Sequence, residues 1–443
     1  MQICILREKA KSIVWVILLK VCLEFAYIYS IMPIWKNLRF GYAPDWTACA
    51  ISYIYCIILV LAIPENKQKL SVLICHFFFI TSVMPFMVFY WTNGKEHIYA
   101  LSVFLMILLM FFWANLKSPR WVWVETRDRG FYHLIIVGLF VIYVFGGIYL
   151  YLKGGGANLR ALSLISASEI RRDSVKLNML ESYWMQWTVK AFTPFFMGYF
   201  LFYKKYWICI FCMIIQTMFY LTYGHKAVLL SIALFWLLYF LAKCFRKVKT
   251  KYYMLFSGLA IVAVMYGLGN RMKVVWLITW QGIMRLLFEP AKIKFQYFEY
   301  FSVHEKLRFS EGVIGKILGI EYPHDKAIGY VITEYFAGEG IVSNSNTGVI
   351  GDLYSQMGYG GVIIGGIVLG LIIRLMDQSS THIPLPYKIA IVSYICITLN
   401  DNALQTTLLS GGGIILIILL MIFNAELYSE EHSNRKYKYM IMR

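Results

Sequence analysis

The chain has 443 residues, 60% of them hydrophobic and 15% charged, and carries a net charge of +18. Average soluble domains are about 45–50% apolar, so this composition, with a mean hydropathy of +0.63, excludes an ordinary soluble domain. A nucleic-acid partner is also excluded, because its footprint is one basic stripe on a soluble face, whereas here the charge is divided among short segments between apolar runs.

In chain order there are twelve apolar stretches: 12–34, 46–63, 70–91, 97–115, 132–152, 183–203, 207–223, 226–242, 252–269, 358–376, 385–400 and 411–427. A bilayer core of about 30 Å needs about 20 apolar residues per helix, and the 17% aromatic content fits interfacial Trp and Tyr belts. The expected fold is therefore all-α, a polytopic integral membrane protein with about twelve transmembrane helices forming one membrane domain over 1–443. The first stretch is long and lacks a small-residue cleavage site, so it is expected to remain a helix and not leave as a signal peptide. Lys20 and Glu24 lie on one face of it, four residues apart. They read either as a buried structural ion pair or, because intramembrane charge is costly, as a functional site.

Basic clusters orient the bundle. Lys117, Arg120, Arg127 and Arg129, and then Lys243, Arg246, Lys247, Lys249 and Lys251, read as cytoplasmic anchors. Short loops on the other side hold only Lys36, Arg39, Lys95 and Lys226. This bias places both termini in the cytoplasm and two long loops, 153–182 and 270–357, outside the membrane. The nine cysteines form no disulfide framework. Cys209 and Cys212 make a C-x-x-C inside an apolar helix with no His nearby, which fits packing better than a metal. No metal site and no cofactor are expected, and no nucleotide-binding G-x-x-x-x-G-K-S/T is present.

Both long loops carry arginine. The first opens Lys153-Gly154-Gly155-Gly156 and continues through Arg160 to Arg171 and Arg172. Its glycines allow a flexible turn or an anion nest. Ser166 with Glu169 reads as a capping box and predicts a short helix. In the second loop, 274–288 is apolar but too short to span and is limited by Pro290, so an interfacial or re-entrant helix is expected, with Arg271 and Arg285 near the membrane surface. Arg285 and Glu289 are spaced for an i,i+4 pair, and Lys226, in the turn Tyr223-Gly224-His225-Lys226, either snorkels or meets an anion.

The loop ends with Ser345-Asn346-Thr347-Gly348, then Gly351-Asp352-Leu353-Tyr354 and Gly358-Tyr359-Gly360-Gly361 running into the next span. This stretch of about 30 residues, with the topology of the whole chain, resembles the Wzy-type oligosaccharide repeat-unit polymerases that build O-antigen and capsule. Their last large outer loop often ends with Asn-Thr-Gly, Gly-Asp-x-Tyr and Gly-x-x-Gly. Some members also carry an Arg followed, after ten residues, by Gly; Arg271 to Gly282 and Arg308 to Gly319 fit, but the residue at that distance from Arg160 is Arg171.

The resemblance implies a membrane glycosyltransferase of the bacterial plasma membrane, active at its outer face. Its substrate would be an undecaprenyl-diphosphate-linked oligosaccharide, with membrane lipids around it and a chain-length regulator and a flippase as partners. The leaving diphosphate needs positive charge, and arginine binds phosphate bidentately without losing its proton. Arg160, Arg171, Arg172, Arg271 and Arg285 are the candidates for the diphosphate, with Asn346, Gly348 and Tyr354 for the glycan. The acceptor hydroxyl needs a base, for which Asp352 comes first, then Glu339 and Glu334; Asp352 reads equally as an N-terminal helix cap. His304 and His324 read as solvated loop residues or ligase-like catalytic groups. Two rival functions share these features: an O-antigen ligase that passes polymer to a lipid core, and a lipid-linked-sugar flippase or transporter.

Overall fold

The computed structural model describes residues 2–63, 69–116, 128–163, 166–244, 282–338, 340 and 343–441. Among them there is no strand, and eight helices are long and apolar enough to cross a bilayer, so the chain is a multi-pass α-helical membrane protein. The expected span 252–269, with Arg271 and Glu339, lies outside the described residues.

Helix α1 (Gln2–Ala26) is followed by α2 (Trp46–Ala62), α3 (Leu70–Thr92) and α4 (His97–Asn115). Helix α3 is the centre of this half of the bundle, 89% of its most apolar window being buried, against 22% for α5 (Arg129–Lys153), whose Leu134, Phe145 and Leu152 face outward. Next come α6 (Ser166–Asp173), α7 (Met179–Trp187), α8 (Thr193–Phe202), α9 (Tyr206–Tyr223) and α10 (Lys226–Cys244). The second loop holds α11 (Glu289–Val303), α12 (Val313–Leu318) and α13 (Ile328–Ala337). It leads into α14 (Val349–Gln378), α15 (Leu385–Asp401), α16 (Leu404–Leu408) and α17 (Gly413–Ile441).

Proline does not end α3, α8 or α11 as its chemistry alone predicts, whereas the helix with Pro33 stops at Ile34. Pro33, Pro85, Pro194 and Pro290 each follow a one-turn π-helical widening, at Tyr27–Ile31, Phe79–Val83, Thr188–Phe192 and Met284–Phe288. Proline lacks an N–H and its ring clashes with the carbonyl four residues back. A π-turn leaves that carbonyl free and displaces it. The limit expected at Pro290 is thereby corrected: the helical path runs from Met284 through Pro290 to Val303.

Lys20 and Glu24 form the structural ion pair. Glu24 also accepts from the Tyr53 hydroxyl (2.6 Å) and the Trp91 indole (2.9 Å), and Lys20 Nζ sits 3.6 Å from the centre of the Tyr53 ring. These partners meet the cost of burying both charges. At the opposite end of α3, Asp377 accepts from the Leu70 amide (2.7 Å) and Ser71 hydroxyl (2.9 Å), tying the end of α14 to the start of α3.

A close interhelical seam joins α14 to α4. An added Cβ at Gly366 would collide with the Met106 carbonyl, and one at Gly370 would come within 2.7 Å of the Met110 carbonyl. Small residues of this spacing let two backbones approach where lipid supplies no hydrophobic drive between helices. Gly366→Ala is expected to cost about 1–3 kcal/mol, as overpacking does, read as a lower melting temperature of the purified protein in detergent. Gly360→Ala, whose methyl meets nothing within 4 Å, is expected to change stability by less than about 0.5 kcal/mol.

Candidate functional site

The site forms where α14 begins and α15 ends. Gly348 caps α14 against the end of α15, and any Cβ there would overlap the Asn400 carbonyl. Asn400 is the hub of the contact: its Nδ2 donates to the Leu286 carbonyl (3.2 Å), and its Oδ1 accepts from buried Lys294 (2.7 Å). The segment preceding Gly348 is pinned from two sides. The Ser345 amide donates to the Gly329 carbonyl (3.0 Å), the Tyr297 hydroxyl to the Ser345 carbonyl (3.1 Å), and the Thr333 and Ser345 hydroxyls meet at 2.7 Å. Gly329 has no Cβ to obstruct the Asn344 side chain, which occupies that space.

These contacts enclose a cavity of about 330 Å³, at the small end of the roughly 300–1,000 Å³ of small-molecule sites. Its walls carry two carboxylates, Glu311 and Asp352, and the amides of Asn344, Asn346, Gln356, Asn402 and Gln405. Carboxylates and planar amides converging on a small space present both acceptors and donors to a hydroxyl-rich ligand.

Asp352 does not cap its own helix. One of its oxygens accepts from Gln356 Nε2 (3.1 Å) and the other from the Leu404 amide (3.3 Å), the first residue of α16. Gln356 in turn accepts from the Phe309 amide (2.6 Å), so one chain of polar contacts joins the second loop, α14 and α16. Glu311 accepts from the Ile328 amide at the start of α13 (3.1 Å). Burial, and then the neighbouring Asp352 carboxylate, push the Glu311 carboxyl above the ordinary glutamate value, the Ile328 amide opposing them.

None of the described arginines lines the cavity. Arg171 and Arg172 lie exposed on α6, which packs against α9 so closely that Gly224 has room for no Cβ. Arg171 and Lys190 both act on His225, whose pKa is lowered first by burial and then by these two cations. Lys190 also lies within electrostatic reach of Asp401, next in sequence to the cavity residue Asn402. Arg171 and Lys190 thus act on His225 from two sides, and Lys190 and Lys294 both lie within electrostatic reach of Asp401, the neighbour of the cavity residue Asn402. Arg160 lies exposed in a 3₁₀ turn (Leu159–Leu162) that the Tyr220 hydroxyl ties to α9 through the Ala161 carbonyl.

Exposed Arg285 stands beside Leu286, whose carbonyl binds Asn400; its expected partner Glu289 pairs instead with Lys292 (3.3 Å). The first loop does contain the short helix α6, while a complete capping box forms further on, at Asn178 and Glu181. Glu181 then pairs with Lys153 and closes the base of that loop.

Of the expected glycan contacts, Asn346 faces the cavity and Gly348 makes the helix junction, but Tyr354 is placed elsewhere. It is buried on another side of α14 against Phe298 (4.3 Å between ring centres) and Tyr359 (5.1 Å), a packing position. Glu334 is half-buried and pairs with Lys326 (2.9 Å). His304 stacks on Tyr300 (4.0 Å), and burial and nearby His304 lower the His324 pKa, with Asp325 opposing.

The sequence reading missed Glu311, Gln356, Asn400 and Lys190. Gln356 was readable at i+4 from Asp352, and the polar run Asn400-Asp401-Asn402 closing an apolar stretch was a signal; nothing local marks Glu311. Compared with protein-family models, curated proteins and solved structures, the chain matches none.

Proposed function

We propose that the protein polymerises undecaprenyl-diphosphate-linked oligosaccharide repeat units into a surface polysaccharide, O-antigen or capsule, at the outer face of a bacterial plasma membrane. In this reading the chain has twelve spans, cytoplasmic termini and the loops 153–182 and 270–357 outside. The single observation that carries it is the cavity: Asn346, Thr347 and Asp352 of the resembling segment converge there with a second carboxylate and further amides, and Lys190 and Lys294 act on Asp401 next to it.

The donor is the growing chain on its lipid diphosphate. Its terminal sugar enters the cavity, where amides hold its hydroxyls and those of the acceptor unit, raising their effective concentration. The diphosphate lies along Arg171, His225 and Lys190, with the exposed Arg160, Arg172 and Arg285 as further candidates to meet it. Each charge-assisted bond contributes about 1.5–3 kcal/mol, so a few supply a substantial part of the roughly 8–23 kcal/mol that enzymes provide. A transporter of lipid-linked sugar is the second reading. It draws on the interruption of α14 at Met357 and Gly358, and on the charges Lys190, Lys294 and Asp401 within the bundle.

The assay is purified protein with a synthetic undecaprenyl-diphosphate repeat unit. A ladder of lengthening products is expected; movement of the lipid across vesicles without any ladder supports the transporter and contradicts the polymerase. The same assay reads the charge at His225. His225 is neutral at neutral pH because its pKa is lowered, and protonation on acidification adds a positive charge beside the diphosphate. The donor's diphosphate diester has no group titrating there, so donor KM is expected to fall with pH in the wild type and to stay flat in His225→Gln. A flat wild-type profile contradicts the placement of the diphosphate.

A further inference from the structure

We propose that Glu311 is the catalytic base of the transfer and that Asp352 is a positioning residue. The assignment rests on the polymerase reading above and replaces Asp352, which the sequence alone put first, with a carboxylate that the sequence reading did not name.

The two groups line one cavity but are held differently. Both Asp352 oxygens are engaged, one by the Gln356 amide and one by the Leu404 backbone. Through Gln356 the same carboxylate is coupled to the Phe309 amide, two residues before Glu311. Its contacts join three separate chain segments, which is the work of an organising group. Glu311 takes one hydrogen bond, from Ile328, and among the described residues no protein group bonds its second oxygen. That oxygen is available to a hydroxyl in the cavity.

The carboxyl also has the properties a base needs. Burial and the adjacent Asp352 charge raise its proton affinity, and Tyr297 and Tyr322, within electrostatic reach, are neutral phenols pushed up by their own burial. A carboxylate tuned upward is a stronger base than a free one. Glu311 is preceded by Ser310 and followed by Gly312 at φ +111°, a conformation that L side chains rarely adopt, so the backbone beside it is fixed by a residue only glycine readily replaces.

The step balances without a further reactant. The acceptor hydroxyl gives its proton to the Glu311 carboxylate as its oxygen bonds to the donor's anomeric carbon. The bond from that carbon to the diphosphate oxygen breaks, and its electron pair leaves with undecaprenyl diphosphate. The proton on Glu311 returns to water before the next cycle.

The test uses the full-length protein with the lipid-linked repeat unit, comparing wild type, Glu311→Gln, Glu311→Asp and Asp352→Asn for kcat, KM, pH profile and melting temperature. Glutamine keeps an oxygen for the Ile328 amide, so Glu311→Gln is expected to fold with an unchanged melting temperature. Its kcat is expected to fall by about 10²–10⁴-fold, the span of general acid–base catalysis, with KM little changed. In the wild type kcat falls as pH drops through the raised Glu311 pKa; this acid limb disappears in Glu311→Gln, and Glu311→Asp recovers part of the rate. Asp352→Asn lowers the melting temperature and raises KM but keeps the acid limb. Wild-type transfer with an unaltered kcat in Glu311→Gln, or loss of the acid limb in Asp352→Asn, overturns the assignment alone. Absence of transfer by the wild type overturns the polymerase reading and the assignment together.

Discussion

The contact of Gly348 with the Asn400 carbonyl organises the site. Because position 348 has no side chain, α14 starts directly against the end of α15, and the Asn400 amide is free to bind Leu286 on one side and Lys294 on the other. That places Asp352, one turn into α14, at the amide of Leu404, and the two short helices of the second loop close over the gap. Cavity, carboxylates and amides follow from one glycine at one helix end.

The rest of the bundle holds this junction in place. The α14–α4 seam is built on Gly366 and Gly370, and Asp377 locks the far end of α14 to α3. π-turns let three proline-containing helices, those with Pro85, Pro194 and Pro290, continue through positions where proline usually ends a helix. In a bilayer, where every backbone polar group needs a protein partner, the Leu286 carbonyl, four residues before Pro290, finds one in the Asn400 side chain. The buried charges around Glu24 are paired by the same logic.

Much of the architecture was legible because the bilayer imposes a length on apolar segments. The eight long apolar helices coincide with stretches readable from hydropathy, and the shorter 46–63 is a helix of 17 residues. What could not be read was the path through Pro290, since the sequence signals a stop and only the π-turn at Met284–Phe288 reverses it. At the site, the Asn346–Asp352 segment was visible as a local motif, whereas Glu311 and Asn400 are brought to it by folding across long separations. The arginines were identifiable by type but not by place: Arg171 stands beside His225 and Lys190, away from the cavity wall, because α6 docks on the α9–α10 turn. Tyr354 shares the motif yet packs among aromatic rings, since alternate positions of a helix face different neighbours.

The central claim is that the cavity opens on the outer side of the membrane and receives the glycan of a lipid-linked donor. It is tested most directly by placing a thiol on the cavity wall at exposed Thr406 and labelling Thr406→Cys in intact cells with a membrane-impermeant maleimide. The account predicts labelling from outside over the background of the native cysteines, and protection of the purified variant by undecaprenyl-diphosphate repeat unit but not by undecaprenyl diphosphate alone. Labelling only after the inner membrane is breached, or equal protection by the bare lipid diphosphate, would contradict it.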